Sequence, residues 1–153
     1  MLLIEPYNDS HFAAFRDLNM EWLLLYNLAE EPDYRVLSDP RGQILEKDGF
    51  IWVALSNGIV VGTAALIKEE HGTYELAKMS VAPEFRGKGV GRMLITTCIE
   101  KARSIGAEKI ELFSNHQLGP ALKLYESVGF RYVPVSNSPF ETADIKMELT
   151  LPA

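Results

Sequence analysis

Ser80-Val81-Ala82-Pro83-Glu84-Phe85-Arg86-Gly87-Lys88-Gly89-Val90-Gly91 joins a predicted strand to a predicted helix through closely spaced glycines. Glycines ahead of a helix let backbone N–H groups approach an anion, and the helix dipole adds positive potential at the same place. Arg86 and Lys88 add positive charge, and an arginine can bind a phosphate through two parallel hydrogen bonds. The segment therefore predicts a cradle for a diphosphate.

Two common phosphate-binding loops do not fit this segment. A Walker A loop closes with Gly-Lys-Ser or Gly-Lys-Thr, whereas Lys88 is followed by Gly89 and Val90. A dinucleotide-binding fingerprint follows the first strand of its fold, with an acidic residue about 20 positions further on. Here the glycines follow the fourth predicted strand. The segment is thus another kind of phosphate cradle or a plain strand-to-helix turn.

The chain before the glycines predicts two helices and a three-stranded meander. Leu2 to Glu5 forms a first strand, and a helical stripe of apolar residues follows until Pro32 ends it. Asp39 and Pro40 begin a second, short helix that runs to about Lys47. Asn-Gly at 57–58 separates two strand-like runs and is a strong hairpin signal. The meander consists of strands at about 50–56, 59–67 and 73–81.

The chain after the glycines alternates helices and strands. A helix from about 90 to 105 is followed by a strand at 109–113, a helix at 120–128 and strands at 130–135 and 143–151. The predicted order is β-α-α-β-β-β-α-β-α-β-β. An antiparallel meander that leads into a β-α-β crossover predicts an α/β fold with a mixed sheet and helices on both faces.

Composition excludes several classes of protein. The 153 residues are typical of one domain, and we expect a single domain over residues 1–153. A formal net charge of −6 disfavours nucleic-acid binding, which requires that phosphates be neutralised. No apolar run approaches a membrane span, and the N-terminus does not resemble a signal peptide. One cysteine, Cys98, and three widely spaced histidines predict no disulfide and no metal site, and we expect a cytoplasmic protein.

Two motifs resemble those of one family. Residues 80–91 resemble the acetyl-CoA motif of the GNAT superfamily of acyl-CoA-dependent N-acyltransferases, Gln/Arg-x-x-Gly-x-Gly/Ala, which Arg86, Gly89 and Gly91 match. Residues 121–130 resemble its second motif, Ala-x-x-x-Tyr-x-x-x-Gly-Phe. The predicted element order is also that of the family, and the N-terminal half is similar to a bacterial subgroup of stand-alone members. The resemblance implies a GNAT-type fold with splayed central strands and acetyl-CoA as cosubstrate, without a metal.

The resemblance also assigns a donor site. It implies that backbone N–H groups from Arg86 to Gly91 bind the pyrophosphate of acetyl-CoA. The pantetheine arm would add to the fourth strand as a strand does, and the N–H of Val81 would polarise the acyl carbonyl. Many members have asparagine where this chain has Leu118, so Asn115 either contacts the pantetheine arm or only caps the turn. The expected donor-site residues are Met79, Ser80, Val81, Arg86, Gly87, Lys88, Gly89, Val90, Gly91, Asn115 and Ala121.

Three residues are catalytic candidates. The acceptor amine must lose a proton before it attacks the thioester, and a carboxylate can take that proton. Glu75 on the fourth strand is the first candidate and Glu21 on the first helix the second, unless each is a solvated surface residue. Tyr125 occupies the general-acid position of the family and would protonate the leaving thiolate, unless it is a core tyrosine.

The function expected from the resemblance is acetyl transfer to the primary amine of a small metabolite. The acyl group would pass directly in a ternary complex, because no activated nucleophile is visible. Alternatives are a protein lysine or N-terminal acetyltransferase, a non-catalytic acyl-CoA sensor, and a nucleotide-binding module. We expect no nucleic-acid or membrane partner, and a homodimer paired through the exposed final strands.

Overall fold

The computed structural model describes residues 1–152, which form one mixed sheet of seven strands with helices on both faces. The strands are β1 (Leu2–Pro6), β2 (Phe50–Ser56), β3 (Ile59–Lys68), β4 (Thr73–Val81), β5 (Lys109–Ser114), β6 (Arg131–Val133) and β7 (Ile145–Thr150). The helices are α1 (Phe12–Leu25), α2 (Glu31–Ser38), α3 (Pro40–Gln43), α4 (Val90–Ser104) and α5 (Gly119–Ser127).

The strand order across the sheet is β1-β2-β3-β4-β5-β7-β6. Every neighbouring pair is antiparallel except β4 and β5, which are joined by the crossover through α4. The predicted hairpin turn is present between β2 and β3, where Asn57 and Gly58 both have positive φ values of 50° and 81°. The predicted fold class is therefore confirmed.

The sheet is buried on both faces, because its central strands carry apolar residues at almost every position. On β2, Ile51 and Val53 pack beneath α1 and α2, whereas Trp52 and Ala54 pack on the side of α4. The core on the α4 side also includes residues of α5, among them Tyr125. The two helical layers thus cover both faces of the sheet. The sheet is open only where neighbouring strands separate.

The two central strands separate after a short parallel ladder. Only three residues of β4 pair with β5, and the last pair is Glu75 with Glu111. The remainder of β4, from Leu76 to Val81, stays bonded to β3 alone. The splay expected between the central strands is therefore confirmed, and it opens a fork in the middle of the sheet.

A bulge in β4 lies beside this fork. Ala65 pairs with Ala77 and Thr63 with Ser80, so β4 holds one residue more than β3 in this interval. The extra residue lies at Lys78, whose φ of 51° is in the left-handed region. Because of the bulge, Ala77 and Ser80 face the same helical layer although two residues lie between them, which would put them on opposite faces of a regular strand.

The region before β2 differs from the prediction in one respect. Pro32 does not end a helical segment but lies in the first turn of α2, where its missing N–H costs nothing. The chain leaves α1 through Asn27, which has a positive φ of 57°, and begins α2 with a capping box between Glu30 and Asp33. The predicted short helix at Asp39-Pro40 is present as α3 and continues as a tight turn at 45–47.

Candidate active site

Two adjoining cavities fill the fork between β4 and β5. The larger has a volume of about 560 Å³ and lies between β4, β5, the start of α4 and α5. The smaller has a volume of about 80 Å³ and lies beneath α1, α2 and the loop before β7. The two share a wall formed by Trp22, Leu76, Ala77, Lys78, Phe113, Ser114 and Leu118. A molecule in the larger cavity can therefore meet a molecule in the smaller one at the fork.

The glycine-rich segment forms an open cradle at the mouth of the larger cavity. Gly87 and Gly89 have φ values of 74° and 84°, and a Cβ atom on either would meet nothing within 4 Å. Helix α4 has Gly89 as its N-cap, without a side-chain cap. Within residues 1–152, the backbone N–H groups of 87–92 donate to no protein acceptor. Free N–H groups at a helix N-terminus fit a pyrophosphate.

Most of the predicted donor-site residues lie together. The larger cavity is lined by Met79, Ser80, Val81, Arg86, Gly87, Gly89, Val90, Gly91 and Ala121. Lys88 is not part of its lining and holds its ammonium 5.3 Å from the centre of the Phe85 ring. Gly91 is a glycine for a packing reason, because a Cβ there would lie 3.1 Å from Leu124 and 3.2 Å from Met79.

Asn115 lies in the wall of the smaller cavity and not of the larger one. Its amide donates to the carbonyl of Thr142 at 2.8 Å, and its side-chain oxygen accepts from the N–H of Gln117 at 3.0 Å. Both the NH2 group and the oxygen of the carboxamide are thus hydrogen-bonded within the protein. The acceptor, Thr142, belongs to the loop that covers the smaller cavity.

Tyr125 extends from α5 into the wall of the larger cavity. Its ring is buried against Phe130, with ring centres 6.0 Å apart. Its hydroxyl makes no hydrogen bond with any residue in the range 1–152, yet it is not sealed from the cavity. Burial raises the pKa of Tyr125 to about 12, and Cys98 nearby adds to the rise. The phenol therefore keeps its proton at neutral pH and can donate it.

Glu75 lies at the fork, in the wall of the smaller cavity. Burial raises the pKa of its carboxyl to about 8, which the positive charge of Lys78 opposes and nearby carboxylates increase. A carboxylate with a pKa near neutral is suited to take a proton from an amine. Glu21, the other candidate base, is exposed on α1 and lines neither cavity. The structure therefore brings Glu75, but not Glu21, to the site.

A buried ion pair that sequence reasoning missed lies beside Glu75. Lys78 and Asp33 have side chains only 5% and 3% exposed, and the ammonium bonds Oδ1 of Asp33. The ammonium also lies 5.3 Å from the centre of the Phe140 ring. All three residues line the smaller cavity. The only signal in the sequence was a lysine within an apolar strand.

The loop before β7 is fastened over the smaller cavity by Glu30. The Glu30 carboxylate accepts hydrogen bonds from the N–H of Glu141 at 2.8 Å, the N–H of Thr142 at 3.0 Å and the hydroxyl of Thr142 at 2.5 Å. Burial acts to raise the pKa of Glu30, but these hydrogen bonds outweigh it and hold the pKa below its ordinary value. The loop is thus tied to the start of α2, and Phe140 and Thr142 form a roof.

Residues 1–152 offer neither a cluster of metal ligands nor a membrane-spanning helix. No group of three or more His, Cys, Asp or Glu side chains could hold a metal ion in that range. No helix there is long and apolar enough to cross a membrane. Cys98 is buried, and burial raises the pKa of its thiol far above the ordinary value, so it is not a nucleophile.

Comparison with known proteins identifies relatives that are acetyltransferases. The chain is 29% identical over 131 residues to the uncharacterized N-acetyltransferase YvbK of Bacillus subtilis, covering 80% of this chain and 84% of that protein. It is 41% identical over 87 residues to N-acetylaspartate synthetase of Rattus norvegicus, covering 56% of this chain but only 29% of that protein. The chain thus spans most of the first relative and under a third of the second.

Solved structures share the fold. An acetyltransferase of the GNAT family from Staphylococcus aureus superposes with a TM-score of 0.92 at 21% identity, over 99% of this chain and 100% of that one. A Bacillus subtilis acetyltransferase in complex with CoA gives a TM-score of 0.73 at 25% identity, over 99% and 100% of the two chains. The model of the acetyltransferase (GNAT) family matches residues 12–130. With both motifs in place, the chain belongs to the GNAT family of N-acetyltransferases.

Proposed function

We propose that this enzyme transfers the acetyl group of acetyl-CoA to the primary amine of a small metabolite. The observation that carries the proposal is the pair of cavities that meet at the fork, with Tyr125 in the wall of one and Glu75 in the wall of the other. A long donor needs the larger cavity and its phosphate cradle. A small acceptor needs only the smaller cavity and a base.

The donor side is supported by the geometry of the cradle and by the relatives. The free N–H groups of 87–92 offer hydrogen bonds to the pyrophosphate, and Arg86 adds charge. The open rim of β4 from Met79 to Val81 is available to the pantetheine arm, which can bond to it as an added strand. The similar Bacillus subtilis acetyltransferase was solved with CoA bound.

The chemistry follows from the two residues at the fork. Glu75 takes a proton from the acceptor ammonium, and the freed amine nitrogen attacks the thioester carbonyl carbon. The N–H of Val81 stabilises the charge that develops on the carbonyl oxygen. The new C–N bond forms as the C–S bond breaks, and Tyr125 donates its proton to the leaving thiolate. The phenolate recovers a proton from the attacking nitrogen, so the products are the amide, CoA and one proton released through Glu75.

A small acceptor is supported by the roof over the smaller cavity. Glu30 and Asn115 hold the loop at 140–143 in place over the smaller cavity, whose volume of about 80 Å³ suits a small molecule. One relative, N-acetylaspartate synthetase, is named for a small acetylated amine. These observations favour a small molecule over a protein lysine or N-terminus as acceptor.

The test is release of CoA from acetyl-CoA across a panel of amines, lysine peptides and controls without acceptor, with acetyl-CoA binding measured in the same preparation. We expect turnover with one class of small amine. Turnover only with peptides would show a protein acetyltransferase. Tight acetyl-CoA binding without any transfer would show an acyl-CoA sensor. ATP or NAD binding in its place would show a nucleotide-binding module.

We further propose that the chain forms a homodimer through the edge of the sheet at β6, where Tyr132 is exposed. Light scattering that shows a monomer at high protein concentration would contradict this.

A further inference from the structure

Lys78 has hydrogen-bonding capacity that the protein does not use. An ammonium has three N–H donors, and within residues 1–152 the side chain of Lys78 bonds only Oδ1 of Asp33. The other oxygen of Asp33 accepts the backbone N–H of Glu30 at 2.9 Å. The carboxylate is thus engaged on both sides, whereas the buried ammonium keeps donors without a protein acceptor in the wall of the smaller cavity.

The backbone of Lys78 adopts an unfavourable conformation to place this ammonium in the cavity wall. Lys78 has a φ of 51°, and a non-glycine residue in the left-handed region costs roughly 1–2 kcal/mol. A regular strand with any apolar residue would avoid both this strain and the desolvation of two buried charges. The bulge nevertheless places Lys78 on the face of β4 that also carries Glu75 and Ala77, towards the smaller cavity. Strain of this kind is typical of functional sites.

The charges around the smaller cavity select among amines. Asp33 balances the charge of Lys78, but an alkylamine or a polyamine would leave the spare donors of the Lys78 ammonium desolvated and unpaired. A molecule with both an amine and a carboxylate gives Glu75 and Lys78 a partner each. Its amine faces Glu75, and its carboxylate accepts hydrogen bonds from Lys78. The ammonium lies beside the ring of Phe140 and its side chain is only 5% exposed, and such burial strengthens a charge-assisted bond.

We propose that the acceptor is a small amino acid, whose carboxylate binds the buried ammonium of Lys78 while its amine faces Glu75. This inference rests on the proposed function and names the acceptor class for the same site. Lys78 is then the specificity-determining residue, Asp33 holds it in place, and the acetyl group is added to an amino group that lies near a carboxylate.

The test compares matched acceptors. Each amino acid is assayed beside its carboxamide and beside the amine that lacks the carboxyl group. We expect kcat/KM to fall by about 100-fold or more when the carboxylate is neutralised or absent, because the buried ammonium of Lys78 is then left without its partner. The fall should lie mainly in KM, because the carboxylate binds rather than reacts.

A double variant tests the role of Lys78 itself. Lys78→Met with Asp33→Asn removes both charges at nearly constant volume, so neither charge is left buried and unpaired. We expect the preference for amino acids over carboxamides to fall to within about threefold, with the Kd of acetyl-CoA unchanged. The matched control is Lys146→Met with Glu111→Gln. Lys146 is also a buried lysine that contacts a carboxylate and lies over an aromatic ring, but it lines neither cavity. The control should keep the preference.

Each outcome separates this inference from the proposed function. Equal turnover of amino acids and plain amines, or a preference that survives in the Lys78→Met/Asp33→Asn variant, overturns the inference and leaves the proposed function standing. Turnover of peptides alone, or acetyl-CoA binding without transfer to any amine, overturns both. Thermal unfolding and acetyl-CoA binding of the double variants establish that they are folded.

Discussion

Glu75 and Glu111 form the last pair of the parallel ladder between β4 and β5, and the two strands separate directly beyond them. This places the Glu75 carboxyl at the base of the fork, in the wall of the smaller cavity. The buried position raises the pKa of Glu75 to about 8, which would be a cost in a purely structural residue. At the fork, we expect the same shift to suit the carboxyl for taking a proton from an amine.

Replacing Glu75 by Gln should lower kcat/KM for the acceptor by roughly 100-fold, because the amide cannot take the proton of the ammonium. The Kd of acetyl-CoA should stay within about twofold of the parent value. Glu100→Gln, on the exposed side of α4, is the matched control and should be fully active. A larger loss in Glu21→Gln than in Glu75→Gln would assign the base to Glu21 instead.

The pH dependence of kcat/KM should show the ionisation of Glu75. Below pH 8 this carboxyl is mostly protonated and cannot accept a proton, so activity should rise with pH through an apparent pKa of about 8. The profile is measured with two acceptors whose amines differ in pKa. A midpoint that moves with the acceptor would show that the amine, and not Glu75, controls the profile.

Tyr125→Phe should lower kcat by about tenfold or more and leave the Kd of acetyl-CoA nearly unchanged. The change removes only the hydroxyl, which bonds no residue within 1–152, so the packing of the ring against Phe130 should persist. Tyr34→Phe, which changes an exposed tyrosine on α2 that lines neither cavity, is the control. Full activity of Tyr125→Phe would remove this residue from the mechanism.

Gly89→Ala should raise the Kd of acetyl-CoA by about tenfold or more, because a methyl group would enter the space that the pyrophosphate needs. Gly106→Ala, at the other end of α4, is a matched control: its φ is +77° against +84° for Gly89, and a Cβ at either position meets nothing within 4 Å. Both changes should destabilise the fold by a similar amount, roughly 1–2 kcal/mol. Isothermal titration with acetyl-CoA distinguishes them, and equal Kd values would contradict the cradle.

Asn115→Ala decides between the two roles left open for this residue. Asn115→Ala removes the hydrogen bond to the carbonyl of Thr142, which helps to hold the roof of the smaller cavity in place. We therefore expect a raised KM for the acceptor. The Kd of acetyl-CoA should not change. A raised Kd with an unchanged acceptor KM would show instead that the asparagine contacts the pantetheine arm.

The sequence predicted the donor half of the proposed site because the features that indicate it are local. A positive φ at Gly89, a helix that starts directly afterwards and a nearby arginine are properties of neighbouring residues, and they leave a motif. The same holds for the hairpin at Asn57-Gly58. Pro32 was misread because proline is compatible both with the end of one helix and with the first turn of the next.

The acceptor half depended on contacts between distant residues. Lys78 and Asp33 are 45 positions apart in the chain, and Glu30 meets Thr142 over an interval of 112. In the sequence, Glu75 and Glu21 were both carboxylates that could act as the base. Only the tertiary structure distinguished them, because Glu75 is buried at the fork and Glu21 is exposed. The sequence by itself determined the order of helices and strands through local periodicity, and its two motifs carried the resemblance to the family and the prediction of a phosphate cradle. Only the tertiary structure decided which carboxyl is buried and which charge faces it, because desolvation and ion pairing depend on what packs against a side chain.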